Sequence, residues 1–182
     1  MKKTVIILAM VAALGVMKVG AQGTFNFSNF GTGVDAKVTD VDGVTALSGS
    51  AFKADAYWGP AGIAATDKSN SGLQSLGLAV SFSTGAGAGY FLGNSQAIPT
   101  QTGTVSLQVR VWQASAGATY AAAVTAGGHT GVGNVIQVAL ATGATGTPNM
   151  VGLQAFSLIV PEPSTIAMAA MGLGGLLIRR RK

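Results

Sequence analysis

Apolar and polar side chains alternate with period two in several short stretches of this chain, and the middle shows no sustained 3.6-residue period. The clearest case is residues 105–112. Val105, Leu107, Val109 and Val111 face one way there, and Ser106, Gln108, Arg110 and Trp112 the other. Residues 52–58 repeat the pattern, with Phe52, Ala54, Ala56 and Trp58 opposed to Lys53, Asp55 and Tyr57. Further strands are predicted over 24–30, 34–39, 78–83, 135–140 and 153–160, most of them separated by Gly-rich or Pro-containing breaks. Many short strands without a long helix predict an all-β domain, an antiparallel β-sandwich or jelly roll. The Ala-rich piece 120–126 reads as a helical turn. The single Gly-Ala-Gly-Ala-Gly run at 85–89 reads as a flexible loop, with no repeat to build a fibre.

The two ends break this pattern. Residues 1–21 carry a basic start (Lys2, Lys3), an apolar run over 5–17 and small residues at Val19 and Ala21, the order of a secretory signal helix cut between Ala21 and Gln22. About thirteen apolar residues fall short of the ~30 Å hydrocarbon core, which favours a cleaved signal over a permanent anchor. At the other end, residues 161–182 follow the 22–160 domain. Val160-Pro161-Glu162-Pro163-Ser164 leads into an apolar stretch over 165–178 and then the basic tail Arg179-Arg180-Arg181-Lys182.

Motif, hydrophobic segment and basic tail in that order resemble the PEP-CTERM sorting signal of Gram-negative bacteria, whose bearers are handled by an exosortase and often belong to strains that make exopolysaccharide. The resemblance implies two partners during export, the secretion translocon and an exosortase. It also implies transient membrane contact through a short C-terminal transmembrane helix at 165–178. The destination it implies is the cell surface or extracellular matrix, reached through an inner-membrane-anchored intermediate, with a link to exopolysaccharide or biofilm. Gly23-Thr24-Phe25-Asn26-Phe27-Ser28-Asn29, Gln108-Val109-Arg110-Val111-Trp112 and Gly152-Leu153-Gln154-Ala155-Phe156-Ser157-Leu158 are similar to landmarks of one group of PEP-CTERM proteins, a likeness that brings no activity with it.

Membrane physics gives the same topology independently. A basic cluster directly after an apolar segment stays on the cytoplasmic side, so both ends place the middle of the chain across the inner membrane. Pro161 and Pro163 hold the approach extended, and a helix starts only after them. The anchor is weak: about fourteen residues span roughly 21 Å, and Gly172, Gly174 and Gly175 dilute its five Leu and Ile side chains. Such a segment suits brief retention followed by removal.

Net charge is +5, which would ordinarily suggest an anionic partner. Seven of the eleven basic residues, however, lie in the two end segments. Residues 22–160 hold Lys37, Lys53, Lys68 and Arg110 against Asp35, Asp40, Asp42, Asp55 and Asp67, a balance of −1. Without a basic patch, nucleic-acid binding is excluded as an expectation. Between Ser69 and Pro161 the only formally charged side chain is Arg110, so little repulsion opposes self-association. There is no cysteine, hence neither disulfide nor thiolate metal site.

Catalytic signals are sparse. The single histidine, His129, sits in a Gly-rich run and reads as a solvated loop residue. No glutamate occurs between Gln22 and Val160, so a carboxylate pair would need two of five aspartates. Asp40-Val41-Asp42-Gly43 partly resembles a calcium loop through Asp35, Asp40 and Asp42. In that register Val38 and Gly49 fall at required ligand positions, and Asp-Gly is a common hairpin turn. The glycines lack phosphate-loop spacing. Among the aromatic residues, Trp58 and Trp112 are the candidates for stacking on a sugar, against a place in the core. The expectation is therefore a non-enzymatic structural protein with no cofactor or metal. The alternative is a carbohydrate-binding module acting on extracellular polysaccharide.

Overall fold

The structure is a computed structural model that describes residues 22–66, 72–143 and 146–160. Where alternation is strongest the strands are longest. β5 (Phe52–Pro60) and β9 (Thr104–Gln113) pair antiparallel without interruption from Phe52 opposite Gln113 to Pro60 opposite Val105. β10 (Thr130–Ala139) lies on the far edge of β9, and β6 (Gln74–Ser75) and β7 (Val80–Ser81) both pair with the outer edge of β5. The β9–β10 register shifts between Val132 and Val135, a bulge that adds twist and re-aims the side chains around Gly133.

A second layer comes from β1 (Gly23–Ser28) and β8 (Leu92–Ile98), antiparallel with a bulge between Asn26 and Ser28. Phe25 and Phe27, two residues apart, both turn inward into the core cluster that also holds Ala54, Ala56, Val105, Leu107, Val109 and Val111. Phe27 stacks on Phe91 with ring centroids 4.7 Å apart, and Phe82 meets the same ring edge-on at 5.7 Å. Each such side chain contributes about 1.5–3 kcal/mol on leaving water. β8 runs close because residue 93 is glycine: a Cβ there would lie 2.6 Å from the Phe27 ring.

The remaining strands are short. β2 (Phe30–Gly31) and β3 (Val34–Asp35) form a small antiparallel hairpin. β4 (Val38–Thr39) pairs in parallel with β11 (Phe156–Ser157), and an isolated bridge between Asn26 and Asn149 is parallel too. The chain then makes one more bridge, Ile159 to Thr130, at the free edge of β10. The all-β, mostly antiparallel class expected from alternation is what forms, the described strands being grouped into one five-stranded sheet and three two-stranded ones. Residues 34–39 divide into β3 and β4. Residues 78–83 and 153–160 contribute only two paired residues each to named strands.

Among the described residues the α-helix is α1 (Tyr120–Thr125), which occupies the Ala-rich piece. Thr119 caps it, its hydroxyl accepting from Ala122 N at 3.2 Å. The Gly-Ala-Gly-Ala-Gly run is a single 3-10 turn over Gly85–Gly87, and Gly89 is buried, donating to Leu47 O and accepting from Val38 N. The expected flexible loop is thus tied to the core at its far end, where a glycine is needed because a Cβ would meet Lys37 at 2.4 Å.

Both faces of the central sheet are covered. Ser106, Gln108, Arg110 and Trp112, on the face away from the aromatic layer, are all buried. Residues 60–65 strap across one end of this face: Ser106 Oγ donates to Pro60 O and accepts from Ile63 N, and Val135 N donates to Ala65 O. At the other end Trp112 Nε1 donates to Gly117 O at 2.9 Å, beneath the segment that leads into α1.

Candidate functional site

The residues expected to address the chain flank the described domain. Residues 1–21, the helix expected at 165–178, Pro161, Glu162, Pro163 and Ser164, and the tail Arg179, Arg180, Arg181 and Lys182 lie outside the described residues. The adjoining positions Gln22 and Val160 are both exposed, at the two margins of the β domain. The last pairing before the motif is Ile159 N to Thr130 O at 2.7 Å, so a cut after Val160 leaves every described strand intact. Among the described residues no helix is long and apolar enough to cross a membrane.

The described aspartates are each engaged separately, and Asp67 lies outside the described residues. Asp42 closes the turn between β4 and the residue bridged to it, Ala46, with its carboxylate accepting from Val44 N, Thr45 N and the Thr45 hydroxyl. The Thr45 hydroxyl first, then the two amides, hold this carboxyl below the usual carboxylate range. Asp35 accepts the Tyr90 hydroxyl at 2.7 Å, which pushes the phenol up. Asp55 accepts from Ser75 Oγ, Gly77 N and Leu78 N, anchoring the chain between β6 and β7. Among the described residues no three His, Asp or Glu side chains gather as a metal site. The Asp40-Val41-Asp42-Gly43 run is a hairpin turn, with Gly43 at φ +70°.

His129 corrects the sequence reading. It is not a free loop residue: its Nδ1 lies 3.1 Å from Asp40 Oδ1, and its backbone carbonyl accepts from Gln113 N immediately ahead of β10. The pair joins the β4 turn to the central sheet. Beside it, the Ser157 hydroxyl is shared with Thr39 Oγ1 at 2.8 Å.

The candidate stacking rings are largely internal. Trp112 is 2 % exposed, wedged under Gly117, and offers no open face to a sugar. Trp58 is half-buried and packs against the core. Nearer the surface lie exposed Phe30 and half-buried Tyr90, with centroids 4.9 Å apart and Phe30 56 % exposed.

Sequence reasoning missed a site on the polar face. Arg110 is 5 % exposed, with its guanidinium carbon 3.6 Å from the centre of the Tyr57 ring and 5.3 Å from that of Tyr120. Nε donates to Gln108 Oε1 at 3.0 Å, whereas Nη2 is buried and has no hydrogen-bond partner among the described residues. Burial pulls the guanidinium pKa down, opposed by the two tyrosines and by Asp55 across the strand. Burial likewise pushes the Tyr120 phenol up. An unmade hydrogen bond on a buried charged donor costs at least about 1–3 kcal/mol, so Arg110 is an expensive residue to keep. Its signal in the sequence is its isolation: one charge in the second half of the domain, in mid-strand.

A cleft of about 430 Å³ opens beside it, between α1, the start of β10 and the 155–159 segment. Tyr120, Val132, Phe156 and Ile159 supply apolar walls, and Thr130 and Ser157 supply hydroxyls. Val132 is the cross-strand neighbour of Arg110, and Tyr120 lies against its guanidinium, so the cation sits directly behind the cleft wall. The volume falls in the usual range for small-molecule sites.

No curated protein and no solved structure matches this chain. A family description does match its end: residues 160–182 fit the PEP-CTERM protein-sorting motif. The chain therefore carries, directly after its last β-bridge, the sorting signal of an exported protein handled by an exosortase.

Proposed function

We propose that residues 22–160 form a non-catalytic structural domain, displayed on the cell surface or held in the extracellular matrix, possession of the sorting motif being the observation that carries this reading. In this account residues 1–21 direct the chain to the translocon and are removed between Ala21 and Gln22. Residues 165–178 hold it briefly in the inner membrane until an exosortase acts near residues 161–163. The domain suits such a role: its carboxylates are spent on turns and loop anchors, and its second half relies on Ser, Thr, Asn and Gln for solubility. Strand pairing between two layers supports a small sandwich as the displayed unit.

Labelling of intact cells tests the reading. The full chain should reach the surface or medium, and a variant lacking residues 2–21 should stay in the cytoplasm. Intact cytoplasmic wild-type protein would refute it. The enzyme question has its own check, since hydrolase activity lost on His129→Ala would establish catalysis. A second reading, a carbohydrate-binding module for extracellular polysaccharide, is favoured by the cleft at Tyr120 rather than by Trp58 or Trp112.

A further inference from the structure

The second reading can be taken further, to a ligand class. We infer that the cleft between α1 and β10 binds a small hydroxylated ring bearing a carboxylate, with the acid group meeting Arg110 Nη2.

The chemistry follows from what is left unpaired. A guanidinium has five N–H donors and no acceptor, and in this one a buried Nη2 faces no acceptor. The cross-strand carboxylate, Asp55, is held by Ser75, Gly77 and Leu78 on the opposite side, and no ion pair joins it to Arg110 among the described residues. A planar carboxylate is the group a guanidinium recognises best, because two parallel N–H···O bonds fit its fork. The rest of the cleft selects the body of the ligand. Tyr120 and Phe156 provide ring faces, and Thr130 and Ser157 provide hydroxyls able both to donate and to accept.

Access runs past Tyr120. Its ring lies over the guanidinium, 5.3 Å from the guanidinium carbon, so the acid group reaches Nη2 when this ring swings aside. The carrier of that ring is the six-residue α1, too short to be rigid by itself.

Titration calorimetry on the full chain in detergent, with sodium glucuronate, glucose and sodium acetate as probes, tests the inference. Glucuronate is expected to bind saturably and at least tenfold more tightly than glucose or acetate. Val132→Trp, which fills the cleft and leaves Arg110 in place, should abolish that binding, and Arg110→Gln should weaken it at least tenfold. If Arg110→Gln fails to fold, Val132→Trp carries the test alone. Absence of saturable glucuronate binding, or its persistence in Val132→Trp, overturns the inference. Equal binding of glucose and glucuronate also overturns it, while leaving the carbohydrate-module reading standing.

Discussion

Asn29 shows how much a single polar side chain can hold together in this fold. Fully buried, it donates through Nδ2 to Ala36 O and Gly89 O and accepts Phe91 N on Oδ1, tying three chain segments to the end of β1. Asn29→Ala orphans the Ala36 carbonyl and the Phe91 amide and leaves Gly89 O with Val38 N alone, so unfolding free energy should fall by about 3 kcal/mol in urea titrations. Gly93→Ala acts differently, since it adds a methyl where the Phe27 ring already lies and should cost about 1–3 kcal/mol through overpacking. Asp42 predicts a pH effect of definite sign. Its carboxyl is depressed in the folded state, so the turn gains stability above the unfolded pKa and loses it as pH falls through the folded one. Amide signals of Val44 and Thr45 should therefore shift on acidification below about pH 4, and Asp42→Asn should remove that step.

Among the elements, alternation was a good guide where the two sides of a strand differ chemically. β5 and β9 were legible for that reason, down to which of Val105, Leu107, Val109 and Val111 enter the core. β8 was not. Leu-Gly-Asn-Ser-Gln-Ala-Ile has no apolar face, and it is a strand because β1 pairs with it and Gly93 admits Phe27. The buried polar face of β9 was equally hidden, since a strap and a short helix that cover it leave no periodic trace. With that face unseen, the Arg110 site was illegible, and Trp112 looked available when it is enclosed. His129 was misread because a glycine run looks mobile in sequence, while its contact, Asp40, lies far away along the chain. α1 offers a test of how local stability is distributed: Thr119→Ala should cost about 1 kcal/mol and loosen amide exchange in 120–126 before the central sheet opens.

For the whole molecule, function is written mainly at the ends. The positive charge belongs to the two end segments, and residues 22–160 between them are close to neutral. That separation predicts that the tail acts as a retention device: replacing Arg179, Arg180 and Arg181 with neutral residues should release precursor from the inner membrane without changing the fold of residues 22–160. The central claim, that residues 160–182 direct sorting of a displayed β domain, is tested most directly by intact-mass spectrometry of protein from the envelope and medium of an exosortase-bearing host. The account predicts a chain that begins near Gln22 and ends close to residues 161–163, with Glu162→Ala accumulating as uncut precursor in the inner membrane. Surface protein that still carries residues 166–182, or normal processing of Glu162→Ala, would contradict it.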